Sequence, residues 1–395
     1  MAKLNYAFRF AKSGMMVSFI SLIISGCAPS NKATENMTSE TIKAPVAKKV
    51  PYEMIQHGHK RIDNYYWMRD DTREDKEILA HLAAENIYVD AQMAHTQPLQ
   101  DTLFTEMTGR LKKDDASVPY EKRGYWWYNR YEGDNEYAIY ARKKSSLKNT
   151  EEVILDANVL AEGHEYFSLD SVAVSTNNNL LAYSTDTESR RLYTIEFKDL
   201  TTGELYQDKL VNTSGSIVWA NDNKTVFYIK KDVQTLLGYQ VFRHSLGTSQ
   251  EQDKLVYQEN DTTFYTDIGK TRDNKTIYIN HDSTLTTGVS VISADMPNAE
   301  FKLITPITTG HEYDFDQHND WYYIRTNKDA QNFKLVKVKR KDSADISKWQ
   351  DVIPHRENVY FEDFIVFENH LVLEEKENGN TQIRVINLTT NEVTS

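Results

Sequence analysis

The sequence predicts a mainly β protein, a β-propeller of about six blades with an incomplete last blade, preceded by an N-terminal helical segment. Between residues 124 and 388 a polar turn followed by two strands recurs six times. By subtraction of residue numbers, successive turns are 54, 45, 51, 46 and 49 residues apart, and they lie at Gly124, Asn178, Asn223, Asn274, Asp320 and Asn369. A period of about 40–50 residues in β-rich sequence is typical of four-stranded propeller blades.

A second repeat has the same period. The tetrapeptide Gly-His-Glu-Tyr occurs at 163–166 and again at 310–313, an interval of 310 − 163 = 147 residues, or three periods of 49. One four-stranded sheet has two apolar faces that it cannot cover alone, so such sheets stack around an axis. A β-sandwich or an open β-array is the alternative, but sandwiches seldom keep so even a spacing.

The first residues have the pattern of a targeting segment. A basic start precedes an apolar run of ten residues, 15–24, which is too short for a comfortable membrane span. Small residues then lead into Cys27, the only cysteine, as in the bacterial lipoprotein signal. Residues 1–26 are therefore predicted to be a lipoprotein signal peptide, with lipid attached at Cys27. Ala28 favours a periplasmic lipoprotein anchored in the outer membrane, and an ordinary cleaved signal is the alternative.

Three further segments follow the leader. Residues 27–50, rich in Ser, Asn, Thr, Lys and Ala, are predicted to be a flexible tether, 51–115 a helical segment, and 116–395 the propeller. A helix is predicted within 70–95, capped by Asp71 or Thr72, and a second helix begins at Pro98. The two helices carry apolar stripes at Ile78, Leu82, Val89, Met93, Leu99, Leu103, Met107 and Leu111.

Composition limits the function classes. Lys+Arg minus Asp+Glu is 46 − 58 = −12, so the chain would repel nucleic acid and favour cationic partners. Paired acids at 114–115 and 374–375 raise the alternative of a propeller glycosidase, but such a site needs carboxylates that converge across a pocket. The sequence predicts no cofactor and no metal site, and it predicts no nucleic-acid partner.

Several phrases resemble the prolyl oligopeptidase family of serine peptidases, and its oligopeptidase B branch in particular. The resemblance covers the chain from about residue 51 to its last residue. The matching phrases are DNYYWMRD at 63–70, EMTGR at 106–110, DASVP at 115–119, LDAN at 155–158, IVWANDN at 217–223, RHSLGT at 243–248 and NFKL at 332–335.

The resemblance implies a seven-bladed propeller that caps an α/β-hydrolase domain, with the N-terminal helices packed on that domain. It also implies cleavage of short peptides after Arg or Lys by a serine on a Gly-x-Ser-x-Gly elbow, with aspartate and histidine following. No Gly-x-Ser-x-Gly occurs in the sequence, so no catalytic residue is predicted.

The sequence thus predicts the N-terminal half of such a serine endopeptidase, ending before the seventh blade and the hydrolase domain. It would be inactive alone, would gate access to the active site, and would meet short basic peptides once joined to the hydrolase domain. The competing hypothesis is a non-catalytic propeller lipoprotein that acts as a binding scaffold.

Overall fold

The computed structural model describes residues 42–394. The predicted signal peptide, the lipid site at Cys27 and most of the tether lie outside the described residues. The chain divides between Thr102 and Leu103 into two compact units. Among the described helices, none is long and apolar enough to cross a membrane.

The first unit holds a hairpin followed by a helix. Strands β1 (Tyr52–Gln56) and β2 (His59–Asp63) pair antiparallel through a turn at His57 and Gly58, both of which have positive φ. Helix α1 (Lys76–Met93) follows, and α2 (Gln97–Gly109) begins in this unit and ends in the second.

Helix α1 begins later than the sequence predicted. Its N-cap is Asp75, whose side chain accepts hydrogen bonds from the backbone N–H groups of Glu77 and Ile78. Asp71 and Thr72 are not caps, because Asp70 holds the preceding residues in a turn by accepting from the N–H groups of Thr72 and Asp75. Of the predicted apolar stripes, Ile78 alone is buried, and the other seven positions are about half exposed or more.

The second unit contains six four-stranded antiparallel blades. Blade 1 has β3 (Tyr120–Lys122), β4 (Tyr125–Arg130), β5 (Ile139–Lys144) and β6 (Glu151–Asp156), followed by α3 (Ala157–Ala161). Blades 2 and 3 form one seven-stranded sheet of β7 (Ser168–Val174), β8 (Leu180–Asp186), β9 (Tyr193–Asp199), β10 (Leu205–Trp219), β11 (Thr225–Lys231), β12 (Gly238–Ser245) and β13 (Lys254–Gln258).

The remaining blades are separate sheets. Blade 4 has β14 (Tyr265–Lys270), β15 (Thr276–Asp282), β16 (Thr287–Ser293) and β17 (Lys302–Leu303). Blade 5 has β18 (Tyr313–His318), β19 (Trp321–Thr326), β20 (Lys334–Lys339) and β21 (Gln350–Ile353). Blade 6 has β22 (Val359–Val366), β23 (His370–Glu377), β24 (Asn380–Asn387) and a two-residue β25 (Val393–Thr394).

Strand β10 belongs to two blades at once. Its first half pairs with β9 as the outer strand of blade 2, and its second half pairs with β11 as the first strand of blade 3. The pairing changes partner near Gly215, which has φ +96 and lies within the irregular stretch of the ladder between Thr213 and Ile217. A left-handed backbone at this point suits glycine, which has no Cβ to clash.

Apolar clusters hold successive blades together. Each of the five clusters lies between two blades that are adjacent in sequence, as the face-to-face stacking of blades requires. Representative pairs, in chain order, are Trp127 and Leu181, Phe197 and Tyr228, Phe227 and Ile277, Ile304 and Ile324, and Leu335 and Phe361. Phe227 and Tyr228 are neighbours in β11 and serve opposite clusters because strand side chains alternate.

The predicted period and fold class are confirmed. The predicted turns at Asn178, Asn223 and Asn274 each carry a left-handed residue between the first and second strands of a blade. Asparagine adopts that conformation more readily than other residues with a Cβ. In blade 5 the left-handed residue is Asn319, one position before the predicted Asp320.

A candidate functional site in the channel

A cavity of about 1320 Å³ lies along the first strands of the blades. Its walls come from the first strands of blades 1 to 4, which are β3, β7, the second half of β10 and β14, with the turns that follow them, and also from β4, β5 and β6 of blade 1. The cavity therefore occupies the part of the channel between the first strands that blades 1 to 4 line, and it is large enough to take a small molecule or a peptide.

Carboxylates lie on the first strands of four blades. They are Asp170 on β7, Asp267 on β14, Asp314 and Asp316 on β18, and Asp363 on β22. Three of them share one local geometry, in which the side-chain oxygen accepts from the next residue's backbone N–H. The N···O distances are 2.8 Å for Asp267 with Ile268, 2.7 Å for Asp316 with Gln317, and 2.7 Å for Asp363 with Phe364.

These carboxylates interact from blade to blade. Burial, followed by the charges of Asp314 and Asp267, raises the pKa of Asp282 to about 6. Burial also raises the pKa of Asp314, although Arg325, whose Nη1 is 2.9 Å from Asp314 Oδ2, acts against it. Like charges that raise one another's pKa create a negative potential that attracts cations.

Four cations lie where two of the first strands, β3 and β14, end. Lys122 ends β3 and Lys270 ends β14, and Arg123 and Arg272 lie in the turns that follow them. These four cations line the cavity and form the cationic end of the channel, whereas the five aspartates lie on first strands outside the lining of the cavity.

A serine triad is absent from residues 42–394. His244 is fully buried, and its two ring nitrogens lie 2.7 Å from Asp253 and 3.2 Å from Asp208, so neither nitrogen can serve as a base for a serine. His281 Nε2 lies 2.9 Å from Ser290 Oγ, but both residues are buried between strands, and no carboxylate in this range contacts the ring. A nucleophilic site needs base, nucleophile and orienting acid together in a cleft.

The paired acids that suggested a glycosidase do not converge. Glu375 is buried and forms ion pairs with Arg356 and Arg384. Asp114 accepts from the backbone of Gly133 in a loop. Both pairs are structural, and in the described part of the chain no group of His, Cys, Asp and Glu is arranged to hold a metal ion.

The channel carboxylates are missing from the sequence-based predictions. Those predictions single out adjacent acids, whereas the aspartates that the structure brings together are spread over nearly 200 residues (363 − 170 = 193). Their signal is positional, since each lies in the strand that precedes a predicted blade turn. Cys27, the one site residue predicted, lies outside the described residues.

Comparison with known proteins gives one consistent family. A family model described as "Prolyl oligopeptidase, N-terminal beta-propeller domain" matches residues 45–395. Dipeptidyl aminopeptidase BI of Pseudoxanthomonas mexicana is 41% identical over 373 residues, which is 90% of this chain and 51% of that protein. Protease 2 of Moraxella lacunata is 32% identical, over 87% of this chain and 50% of that protein.

Solved structures of similar fold belong to the same family. Oligopeptidase B from Leishmania major superposes with a TM-score of 0.83 at 31% identity, covering 88% of this chain and 51% of that one. Oligopeptidase B from Trypanosoma brucei gives a TM-score of 0.80 at 28% identity, over 89% of this chain and 52% of that one. The chain thus spans about half the length of the relatives it matches.

Proposed function

Since this chain belongs to the prolyl oligopeptidase family, as its N-terminal β-propeller domain, we propose that it is the propeller portion of an oligopeptidase-B-like serine endopeptidase. The substrates are short peptides, cleaved after Arg or Lys. The channel between the blades admits peptides and excludes folded proteins, and the chemistry belongs to a hydrolase segment outside residues 42–394.

The absence of a triad from residues 42–394 supports this division of labour. The relatives from Pseudoxanthomonas mexicana and Moraxella lacunata carry peptidase names, and this chain covers about half of each. Serine acyl transfer needs a serine nucleophile, a histidine base and an oxyanion hole. We assign all three to the half of the relatives that this chain does not match.

The channel carboxylates support a basic substrate. Asp267, Asp314 and Asp363 lie on the first strands of three successive blades, and a peptide threading the channel would pass them. A group of carboxylates beside a channel raises the local concentration of cationic ligands near it. Their role in this proposal is attraction, and the specificity for Arg or Lys at the cleaved bond lies with the hydrolase segment.

The lipid anchor belongs to the same proposal. Acylation of Cys27 would hold the protein on the periplasmic side of the outer membrane, with residues 28–50 as a spacer. Peptides that reach the periplasm would then meet the channel at the membrane surface. Metabolic labelling with a fatty-acid analogue tests this, and a Cys27→Ser variant that still takes up label would contradict it.

The coding sequence past residue 395 gives the first test. The proposal expects a Gly-x-Ser-x-Gly elbow there, and a fluorophosphonate probe should label that serine in the longer protein. The longer protein should cleave fluorogenic peptides with Arg or Lys before the cleaved bond much faster than matched Glu peptides. A stop codon in an intact gene, with no labelled serine, would instead support the binding-scaffold alternative.

Paired variants test the channel. Asp267→Asn with Asp363→Asn keeps the acceptor oxygens for the neighbouring N–H groups and removes two charges. We expect KM for Arg peptides to rise about two- to fivefold at low salt, with a smaller change at high salt. Asp351→Asn, on the outer strand β21, is the matched control and should leave KM unchanged. Equal effects of both changes would refute attraction by the channel.

A further inference from the structure

We propose that Lys122, Arg123, Lys270 and Arg272 form an oxyanion-binding site at the cationic end of the channel, one that takes the C-terminal carboxylate of a peptide. The proposal rests on the proposed function and deepens it, because it specifies that a bound peptide lies with its C terminus at the cationic end of the channel. Its basis is the convergence of these four side chains in a cavity large enough for a ligand.

Two of the cations converge on three consecutive residues of blade 2. Arg123 reaches from blade 1, with Nη1 2.9 Å from the carbonyl oxygen of Ser175 and Nη2 3.3 Å from that of Val174. Lys270 reaches from blade 4, with Nζ 3.4 Å from Thr176 Oγ1. Side chains from blades 1 and 4 therefore meet at the end of β7.

The hydrogen bonds of Arg123 and Lys270 go to neutral oxygen atoms rather than to carboxylates. Lys270 Nζ lies 2.6 Å from Asn221 Oδ1 and 3.0 Å from the carbonyl oxygen of Trp219. Arg123 Nε is buried without a hydrogen-bond partner. Within residues 42–394, no ion pair engages Lys122, Arg123 or Lys270, and no hydrogen bond engages Lys122 Nζ. Arg123 and Lys270 are half-buried, and cations withdrawn from water are usually paired with a carboxylate, so an anion could still bind to these side chains.

The cations also repel one another. Burial, followed by the charges of Arg123 and Lys122, lowers the pKa of Lys270 to about 8, although Asp295 and Asp222 act in the opposite direction. Burial and then the charges of Arg123 and Arg272 lower the pKa of Lys122 as well. An anion among these groups would relieve the repulsion and supply the missing acceptors.

Arg272 borders the group and is partly occupied. Its guanidinium lies 4.8 Å from the ring centroid of Phe367, and its backbone N–H donates to Asp316 Oδ1 at 3.4 Å. Asp316, one of the two carboxylates on β18, therefore lies next to the cationic end. A peptide with a basic side chain and a free carboxylate would match both regions, with its carboxylate at the cationic end.

Binding measurements on the full chain test the site without any hydrolysis, so their failure is distinct from failure of the proposed function. Isothermal titration calorimetry would use inorganic phosphate, and then an Arg-containing pentapeptide as the free acid and as the C-terminal amide, all at one ionic strength. We expect phosphate to bind and to compete with the acid. We expect the acid to bind about tenfold more tightly than the amide, the usual contribution of one charge-assisted hydrogen bond.

Lys122→Gln is the diagnostic variant, because Lys122 lines the cavity and its side chain makes no hydrogen bond or ion pair within residues 42–394 whose loss would unfold the protein. It should weaken phosphate binding about tenfold and should remove the difference between acid and amide. Lys302→Gln, on the outer strand β17, removes the same charge outside the cavity and should change neither. Phosphate binding with no preference for the acid would overturn the carboxylate assignment and leave a free anion as the ligand. Absence of phosphate binding, or equal loss in both variants, would overturn the site.

Discussion

Gly269 gives the sharpest test of how the first strand of blade 4 packs. It pairs directly with Tyr278 across β14 and β15, and the tyrosine ring covers the glycine. A Cβ at this position would lie 2.6 Å from Cε2 of Tyr278 and closer still to Cζ and Oη. Ordinary contacts between carbon atoms are about 3.5–4.0 Å, so the ring would have to move by about 1 Å.

The ring has little room to move, because it packs edge-on against Phe315 with ring centroids 5.4 Å apart. Overpacking of this kind costs about 1–3 kcal/mol, whereas alanine gains about 0.4–1 kcal/mol by restricting the unfolded chain. Gly269→Ala should therefore lower the free energy of unfolding by about 1–2 kcal/mol. The backbone of Gly269 has no positive φ, so backbone strain plays no part.

Urea unfolding followed by tryptophan fluorescence measures this change. In a Tyr278→Leu background the clash disappears, and Gly269→Ala should cost less than about 0.5 kcal/mol. Gly109→Ala is the matched control, since nothing lies within 4 Å of its added Cβ. An equal cost of Gly269→Ala in both backgrounds, or no cost in either, would refute the contact.

Two buried charged groups give further predictions. Arg325 Nε donates to the carbonyl oxygen of Phe361 at 2.9 Å and joins blades 5 and 6. Arg325→Gln should therefore lower the free energy of unfolding by about 1–3 kcal/mol, whereas the control Lys348→Gln, in an exposed ion pair, should change it by under about 0.5 kcal/mol. Similar losses of stability in the two variants would contradict this prediction. Burial by itself would lower the pKa of His244. Hydrogen bonds and charge from Asp253 and Asp208 outweigh burial and raise the pKa above its usual value of 6.5. Because the folded state binds this proton more tightly than the unfolded state, protonated His244 contributes its full stabilisation below about pH 6.5. The contribution is lost as the pH rises through the pKa of His244 in the folded protein, so the stability difference between wild type and His244→Gln should shrink from pH 6 to pH 9. A difference independent of pH in urea titrations would refute it.

The repeat could be read from the sequence because its signals are local. A left-handed turn residue favours Asn or Gly whatever surrounds it, so Asn178, Asn223 and Asn274 marked three blades directly. The repeated Gly-His-Glu-Tyr marked a shared turn as well, since Gly163 and Gly310 have φ +80 and +81 before a first strand.

The remaining features depend on long-range contacts. Nothing local shows that β10 continues from blade 2 into blade 3, because its partner changes within a single strand. The N-cap of α1 is Asp75 rather than Asp71 or Thr72, because the backbone N–H groups of Thr72 and Asp75 donate to the Asp70 side chain instead of entering a helix. The spacing of apolar residues does not show which of these hydrogen bonds forms. The cationic site could not be predicted either, because Arg123 and Lys270 lie on different blades and come together only when the chain folds around the cavity.

Hydrolysis by the chain itself tests the central claim, that these blades enclose an active site whose catalytic groups lie elsewhere. The purified 395-residue chain would be incubated with a fluorogenic Arg-amide peptide, beside the longer protein that includes the following coding sequence. We expect turnover by the longer protein and none by the chain, with peptide binding retained in both. Turnover by the chain alone, abolished by a fluorophosphonate that labels a serine within residues 42–394, would contradict the claim.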